Sequence, residues 1–86
     1  MYKVLKKDGT IEDFSWEKIS DGIIKSSGTK EEAEQVAGAV ELWLASAVDA
    51  GVIKSYDLHV KVISVLNEVN PEVAKRYEEF KKPESQ

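Results

Sequence analysis

Residues 4–19 contain three lysines: Lys6 and Lys7 precede an Asp8-Gly9 turn, and Lys18 follows it. On composition alone, Lys6 and Lys7 best suit a charged edge strand that resists pairing with other sheets. Lys18 shifts the balance, because it lies about one turn inside a predicted helix that follows the second strand. Ammonium groups bind phosphate oxygens, and helix N-termini add backbone N–H donors. We therefore predict that Lys6 and Lys18 converge on a nucleotide polyphosphate.

Glu12 is a carboxylate among these lysines, and it has two interpretations. One is a cross-strand ion pair, worth under about 1 kcal/mol when exposed. The other is an acceptor for a ribose hydroxyl or an adenine amino group. Because a carboxylate repels a triphosphate, the second interpretation requires Glu12 to face the nucleoside end of the ligand.

Gly22 and His59 are less specific signals. A glycine inside a helix lowers its stability by about 1 kcal/mol relative to alanine. Gly22 is explained either by the close approach of a ligand or of neighbouring backbone, or by a surface position that tolerates glycine. His59 is the only histidine, so a metal site is not expected. A lone histidine is usually structural or exposed, but Ser55 and His59 share a helix face, so both could border one pocket.

No catalytic arrangement is found in the sequence. It lacks a Walker-type phosphate loop, an activated serine pattern and an inward carboxylate pair. The absence of cysteine excludes disulfides, thiolate zinc sites and thiol catalysis. We predict that the chain is not an enzyme.

The elements that must position these residues begin with a hairpin at residues 2–7 and 10–14. A two-residue turn would place Lys6 opposite Ile11. A three-residue loop, with Gly9 in the left-handed region, would place Lys6 opposite Thr10, and we favour this register. It pairs Leu5 with Ile11 on one face. The other face then carries Tyr2, Val4, Lys6, Glu12 and Phe14.

Four helices are predicted from their caps and apolar periodicity, with Val52–Lys54 as a third strand between the second and third helices. The first helix is predicted to begin at an N-cap, Ser15, and to end at Gly28; the second begins at a capping box, Thr29–Glu32, and ends at Gly51. The third begins at an N-cap, Ser55. The fourth begins at Asn70-Pro71 and ends at Lys81–Pro83. The predicted apolar stripes are Trp16, Ile19, Ile23 and Ile24; Ala33, Val36, Ala37, Val40, Leu44, Ala47 and Val48; Leu58, Val62, Val65, Leu66 and Val69; and Val73, Tyr77 and Phe80. Trp43 is assigned to the edge of the core.

These elements predict an α+β fold in which a small hairpin or three-stranded sheet caps a four-helix bundle. Residues 1–82 form a single domain, and residues 83–86 are expected to be a disordered tail.

The composition narrows the function further. The chain has 86 residues, a net charge of −4 and 42% hydrophobic residues, so it is expected to be a soluble domain and not a general polyanion binder. It has no apolar run of membrane-spanning length and no signal peptide in residues 1–20. The expected location is the cytoplasm.

The opening motif resembles the signature of the ATP-cone domain, in the form Val4-x-Lys6-Lys7-Asp8-Gly9-x-x-Glu12-x-Phe14-x-x-x-Lys18-Ile19. Two weaker blocks follow in the expected order, at Ile53–His59 and Asn70–Phe80. ATP cones lie at the N-terminus of many ribonucleotide reductase large subunits and in the repressor of bacterial ribonucleotide reductase genes. The resemblance extends through residue 82.

The resemblance implies a pocket between sheet and helices that binds ATP or dATP, alone or with magnesium, as an allosteric switch on oligomeric state. By position, Lys6, Lys7 and Lys18 would hold phosphates, with Lys81 or Lys82 as a further phosphate contact. Val4, Ile19 and Gly22 would shape the base and sugar pocket, and Glu12, Ser55 and His59 would contact the nucleoside. Many members have Lys-Arg where this chain has Lys6-Lys7. A lysine keeps the positive charge but lacks the guanidinium group that binds phosphate through two hydrogen bonds.

The sequence therefore predicts a non-catalytic regulatory module for ATP and dATP. Its partner would be a reductase chain, a regulator chain or a second copy of itself. Neither a reductase domain nor the DNA-binding zinc ribbon of the repressor accompanies the cone, so we expect an excised domain or a stand-alone one. The alternative is a cone-like interaction module that binds no ligand; direct nucleic-acid binding is disfavoured by the net charge.

Overall fold

The described part of the chain folds into a three-stranded sheet and four helices, which confirms the predicted α+β class. The computed structural model describes residues 2–47 and 50–80, with the backbone alone for Ala47. The elements in chain order are β1 (Lys3–Leu5), β2 (Ile11–Asp13), α1 (Trp16–Lys25), α2 (Lys30–Ala47), β3 (Val52–Lys54), α3 (Ser55–Val69) and α4 (Pro71–Phe80).

The β1–β2 hairpin has the favoured register. Val4 pairs with Glu12, and the Lys6 N–H donates to the Thr10 carbonyl at 2.8 Å. Gly9 donates to the Lys6 carbonyl at 3.0 Å and has a φ of +92°, which is costly for residues with a Cβ. The three-residue loop is therefore confirmed.

Asp8 fixes the conformation of this loop. Its Oδ1 accepts hydrogen bonds from the Thr10 hydroxyl at 2.7 Å and the Thr10 N–H at 3.0 Å. These two bonds lower the pKa of the Asp8 carboxyl below its ordinary value. The carboxylate thus serves the turn that carries Lys6 and Lys7.

The third strand joins the hairpin to the helices. β3 pairs in parallel with β1, in the sheet order β2-β1-β3, and Val4 lies opposite Ile53. Both side chains are buried in the main core. The Lys3 N–H also donates to the Gly51 carbonyl at 2.8 Å. The predicted third strand is confirmed.

The helices pack in a ring in which α1 contacts α2 and α4, and α3 contacts α2 and α4. Their inward-facing residues and the two strand residues form one hydrophobic core. Its members are Val4, Ile19, Ile23, Ala33, Val36, Val40, Leu44, Ile53, Leu58, Val62, Val65, Leu66, Val73, Ala74 and Tyr77.

Most of the predicted stripes face this core, with a few corrections. Phe80 and Ile24 were predicted to be buried but are exposed, because each lies at the edge of its helix's apolar face. Trp43 is half-buried at the core edge, as predicted, and the Lys61 ammonium lies 5.9 Å from its ring centroid. The predictions for Val48, Lys81–Pro83 and the 83–86 tail, and for the Ala47 side chain, lie outside the described residues.

The end of α1 differs from the prediction. The helix ends at Lys25, and the Ser27 and Gly28 N–H groups donate back to Ile24 and Ile23 at 3.0 and 2.9 Å, which is a Schellman motif. Ser27, with a φ of +73°, and not Gly28 takes the left-handed position. Gly28 is required for space instead, because a Cβ there would lie 2.6 Å from Ile23 Cγ2.

The α2 and α4 caps are confirmed. Thr29 and Glu32 exchange side-chain to backbone hydrogen bonds of 3.0 and 3.1 Å, which is a complete capping box. Asn70 Oδ1 accepts from the N–H groups of Glu72 and Val73 at 3.2 and 3.4 Å, and Pro71 is the first residue of α4. Asn70 Nδ2 donates to Glu32 Oε2 at 3.0 Å, so the two caps are linked.

Three other boundary predictions need adjustment. Ser15 is the N-cap of α1 by position, but its side chain makes no capping hydrogen bond. Ser55 is not a cap, because β3 continues directly into α3 and Lys54 occupies the N-cap position. Gly51 lies beyond the last residue of α2, Ala47, and its φ of +79° serves the turn into β3.

We expect Gly28→Ala and Gly38→Ala to change stability in opposite directions. The Gly28 Cβ would also lie 2.8 Å from the Ile23 carbonyl oxygen, so backbone must shift, at a cost of about 1–3 kcal/mol. A Cβ at Gly38, in α2, meets nothing within 4 Å, and the helix gains about 0.5–1 kcal/mol. Chemical denaturation of both variants tests this. Equal effects would contradict the role given to Gly28.

We expect Glu32→Gln to destabilise the protein at neutral pH but to have little effect on its stability in acid. The Thr29 N–H, followed by Asn70, lowers the folded-state pKa of Glu32 below 4.5. The carboxylate therefore contributes stability above about pH 4.5, and this is lost as the pH falls through the folded pKa. Glutamine keeps only one acceptor oxygen, so its NH2 group would face either the Thr29 N–H or the Asn70 amide donor at neutral pH. The Tm difference between protein and variant should therefore narrow in acid. Glu31→Gln, in the same helical turn, is the control; parallel pH profiles for both variants would refute the assignment.

Candidate functional site

Two lysines approach one carboxylate on the helix-facing side of the hairpin. Lys6 Nζ and Lys18 Nζ each lie 3.9 Å from Glu12 Oε1. The side chains of Lys6, Glu12 and Lys18 are 29%, 48% and 71% exposed. We call this group the Lys6–Glu12–Lys18 cluster. The structure thus brings together the three charged residues whose convergence was predicted, and it shows the cross-strand ion pair as well.

The hairpin register explains the cluster. Side chains alternate along strands, so Lys6 and Glu12 emerge on the same face of the hairpin as Val4. The chain leaves β2 and forms α1 on this side of the sheet, which brings Lys18 in the first turn of α1 to Glu12. A register shifted by one residue would move either Lys6 or Glu12 to the other face.

The opposite end of the same hairpin face is aromatic. The Tyr2 and Phe14 rings form an edge-to-face pair with centroids 6.5 Å apart, and Phe14 lies 5.8 Å from Trp16. All three side chains pack against the core. The hairpin face therefore has an apolar end at the start of α1 and a charged end near the turn.

Apolar residues lie beside the charged cluster. Val4 and Ile19 are buried in the core. Gly22 lies one turn after Ile19 and is also buried, so its interpretation as a tolerated surface glycine is wrong. Its carbonyl accepts a hydrogen bond from the Ser26 hydroxyl at 2.8 Å.

The α3 residues of the prediction lie on successive turns of that helix. β1 and β3 are parallel, and the pair Leu5–Lys54 is followed by Lys6 on one strand and Ser55 on the other. The carboxyl end of β1 and the start of α3 therefore meet at one end of the sheet. His59 is half-buried and stacks on Tyr77 of α4, with ring centroids 6.2 Å apart.

Tyr77 sets the surroundings of this histidine. Burial raises the pKa of the Tyr77 phenol to about 12, so the phenol stays protonated at physiological pH. Tyr77 is 4% exposed and belongs to the core. The stacking contact therefore holds the His59 ring against a fixed, neutral surface.

The sequence matches the family model of the ATP cone domain over residues 2–85, nearly the whole chain. The chain belongs to the ATP-cone family. ATP cones are regulatory, non-catalytic nucleotide-binding modules. A search of curated proteins finds no match.

Two features of this ATP cone differ from the sequence-based picture of its site. Lys7 lies in the hairpin turn and is exposed, outside the Lys6–Glu12–Lys18 cluster. The helix that begins at the Lys6 end of the sheet is α3, and not α1, whose amides were expected to assist phosphate binding. The sequence offered one sign that α3 begins beside Lys6, because Val52–Lys54 continues directly into a helix. This sign becomes informative only once β3 is known to pair in parallel with β1.

Two further observations concern the part of the ATP cone that the structure describes. Residues 2–47 and 50–80 contain no group of three or more histidine, aspartate or glutamate side chains that could hold a metal ion. Among the same residues, no helix is both long and apolar enough to cross a membrane.

Proposed function

We propose that this ATP cone binds ATP and dATP with the triphosphate on Lys6 and Lys18, and acts as an allosteric switch. The regulated protein is a ribonucleotide reductase or a regulator of its genes. The observation that carries this proposal is the approach of two ammonium groups from different elements to one carboxylate oxygen. Family membership supplies the class of ligand.

The local charge supports a phosphate ligand despite the acidic composition. The chain has a net charge of −4, whereas the Lys6–Glu12–Lys18 cluster itself contains two cations and one carboxylate. The first residues of α3 lie at the same end of the sheet as Lys6, and the positive end of a helix dipole favours anions. A long polyanion would meet the acidic remainder of the surface, but a compact triphosphate would not.

The proposed positions of the nucleoside follow from the neighbouring groups. Val4, Ile19 and Gly22 would border the base and sugar, and Glu12, Ser55 and His59 would supply polar contacts. Lys7, at the hairpin tip, would contribute at most a peripheral phosphate contact. Magnesium would enter with the phosphates and not through a protein site.

The expected affinity sets what regulation requires. A ligand of about 30 heavy atoms at about −0.3 kcal/mol per atom binds near micromolar Kd. Such a site is filled by cellular ATP at all times. Regulation must therefore come from discrimination at the ribose or from a change of shape that differs between ligands.

A ligand-free interaction module is the second candidate, and exposed apolar side chains favour it. Leu42 is 80% exposed, and Tyr56 and Ile11 are 59% and 58% exposed. Such residues also occur singly on the surfaces of monomers. A measurement of nucleotide binding distinguishes the nucleotide-binding switch from the interaction module.

We expect ATP and dATP to raise the Tm of this chain by several degrees or more. Ligand at 100 times its Kd adds about 2.7 kcal/mol to the free energy of unfolding, and small domains gain several degrees per kcal/mol. Thermal-shift titration with each nucleotide, with and without magnesium, makes the measurement. The absence of any shift up to millimolar concentration would refute the nucleotide function and leave the interaction module.

We expect Lys6→Ala and Lys18→Ala each to weaken ATP binding about tenfold, because each removes a charge-assisted phosphate contact. Lys3→Ala is the matched control, since Lys3 lies on the opposite face of the hairpin and pairs with Asp13. Its Kd should stay within about twofold of the parent value. Calorimetric titration measures all three, and circular dichroism verifies folding. Equal Kd values for the Lys6, Lys18 and Lys3 variants would place the phosphates elsewhere.

A further inference from the structure

We propose that Glu12 is an exchangeable counter-ion of the two lysines: the phosphates displace its carboxylate, which then turns to the nucleoside. This rests on the proposed function, because it assigns the regulation of the same site. The observation behind it is that one oxygen, Glu12 Oε1, lies 3.9 Å from both Lys6 Nζ and Lys18 Nζ. The carboxylate thus lies where the proposal requires a phosphate.

The geometry suits a counter-ion that can leave. Charge-assisted hydrogen bonds between ammonium and carboxylate groups are about 2.7–2.9 Å long. Both contacts of Glu12 are longer, and its side chain is half exposed, so water screens the attraction. By contrast, Asp8 on the same hairpin accepts two hydrogen bonds of 2.7 and 3.0 Å and is committed to the turn. Glu12 is the carboxylate of this hairpin face that is free to move.

The shared oxygen makes the exchange concerted. Lys6 belongs to the hairpin and Lys18 to α1, yet both contact the same carboxylate oxygen. A ligand with several negative charges outcompetes a single carboxylate for two ammonium groups, and rotation of the Glu12 side chain breaks both contacts at once. A ligand with a single charge gains little over Glu12. Glu12 thereby selects for polyphosphates.

The position of Glu12 on the sheet gives the released carboxylate a second use. Glu12 is the middle residue of β2 and pairs with Val4, between the charged and aromatic ends of the hairpin face. When phosphates occupy the lysines, repulsion turns the carboxylate away from them, toward the side on which the nucleoside is proposed to lie. There it can accept hydrogen bonds from a ribose hydroxyl or an amino group, so phosphate binding and nucleoside recognition are coupled.

The test compares Glu12→Gln with Asp13→Asn. Both variants remove one negative charge from β2, but Asp13 lies on the opposite face and pairs with Lys3. The probes are inorganic triphosphate, which has no nucleoside, and ATP, each titrated calorimetrically into the full chain at low and physiological salt. We expect Glu12→Gln to bind triphosphate about fivefold more tightly than the parent, and Asp13→Asn to stay within about twofold of it. The preference for ATP over triphosphate should fall in Glu12→Gln alone.

Other results overturn the inference. If Glu12→Gln weakens ATP binding and leaves triphosphate binding unchanged, Glu12 is a fixed nucleoside contact and not a counter-ion. If Asp13→Asn matches Glu12→Gln, the effect is one of overall charge. In both cases the parent still binds ATP, and the proposed function stands. If the parent binds neither probe, the proposed function and the inference fall together, even where Glu12→Gln binds, because phosphates then do not displace Glu12 in the parent.

Discussion

The parallel pairing of β1 with β3 is the constraint on which the rest of the structure depends. The strands have only three residues each, yet Val4 and Ile53 meet across this pair and enter the core of the bundle. Without it the hairpin would be an isolated pair of short strands, which is marginally stable at best. Because the pairing is parallel, the carboxyl ends of both strands lie at one end of the sheet. Lys6 and the start of α3 meet there for that reason.

The inner face of the hairpin is aromatic at one end and carries charged side chains toward the other. Tyr2 and Phe14 pack with Trp16 at one end, and this aromatic contact helps to fix where α1 begins. Lys6 lies at the other end, near the turn, and Glu12 lies between the two ends, opposite Val4. A cone of this size has little stability to spare, so the charged groups lie at the rim of the core, where solvation lowers the cost of holding them together.

Local chemistry in the sequence was sufficient to predict the hairpin register and two of the helix starts. Asp8-Gly9 dictates its loop, and Thr29–Glu32 and Asn70-Pro71 form their caps from adjacent residues. The predictions failed where a distant contact decides. Ser55 looks like a cap, but the pairing of β3 with β1 carries the strand directly into α3. Gly28 looks like a left-handed residue, but it is required because Ile23 and Val73 occupy the space that a Cβ would need. The Lys6–Glu12–Lys18 cluster was predictable because all three residues lie within one hairpin and the next helix.

A regulatory module needs two states that a ligand distinguishes, since a ligand with equal affinity for both shifts nothing. The described structure contains a natural candidate for the difference. Lys6 and Glu12 move with the hairpin, Lys18 moves with α1, and in the free chain a screened, half-exposed carboxylate connects them. In the proposed bound state a triphosphate replaces this weak connection by a stronger one between the same two elements. The ligand would therefore change the strength of the contact between the hairpin and α1 directly. The surface that a partner would detect is therefore expected to include the hairpin and α1.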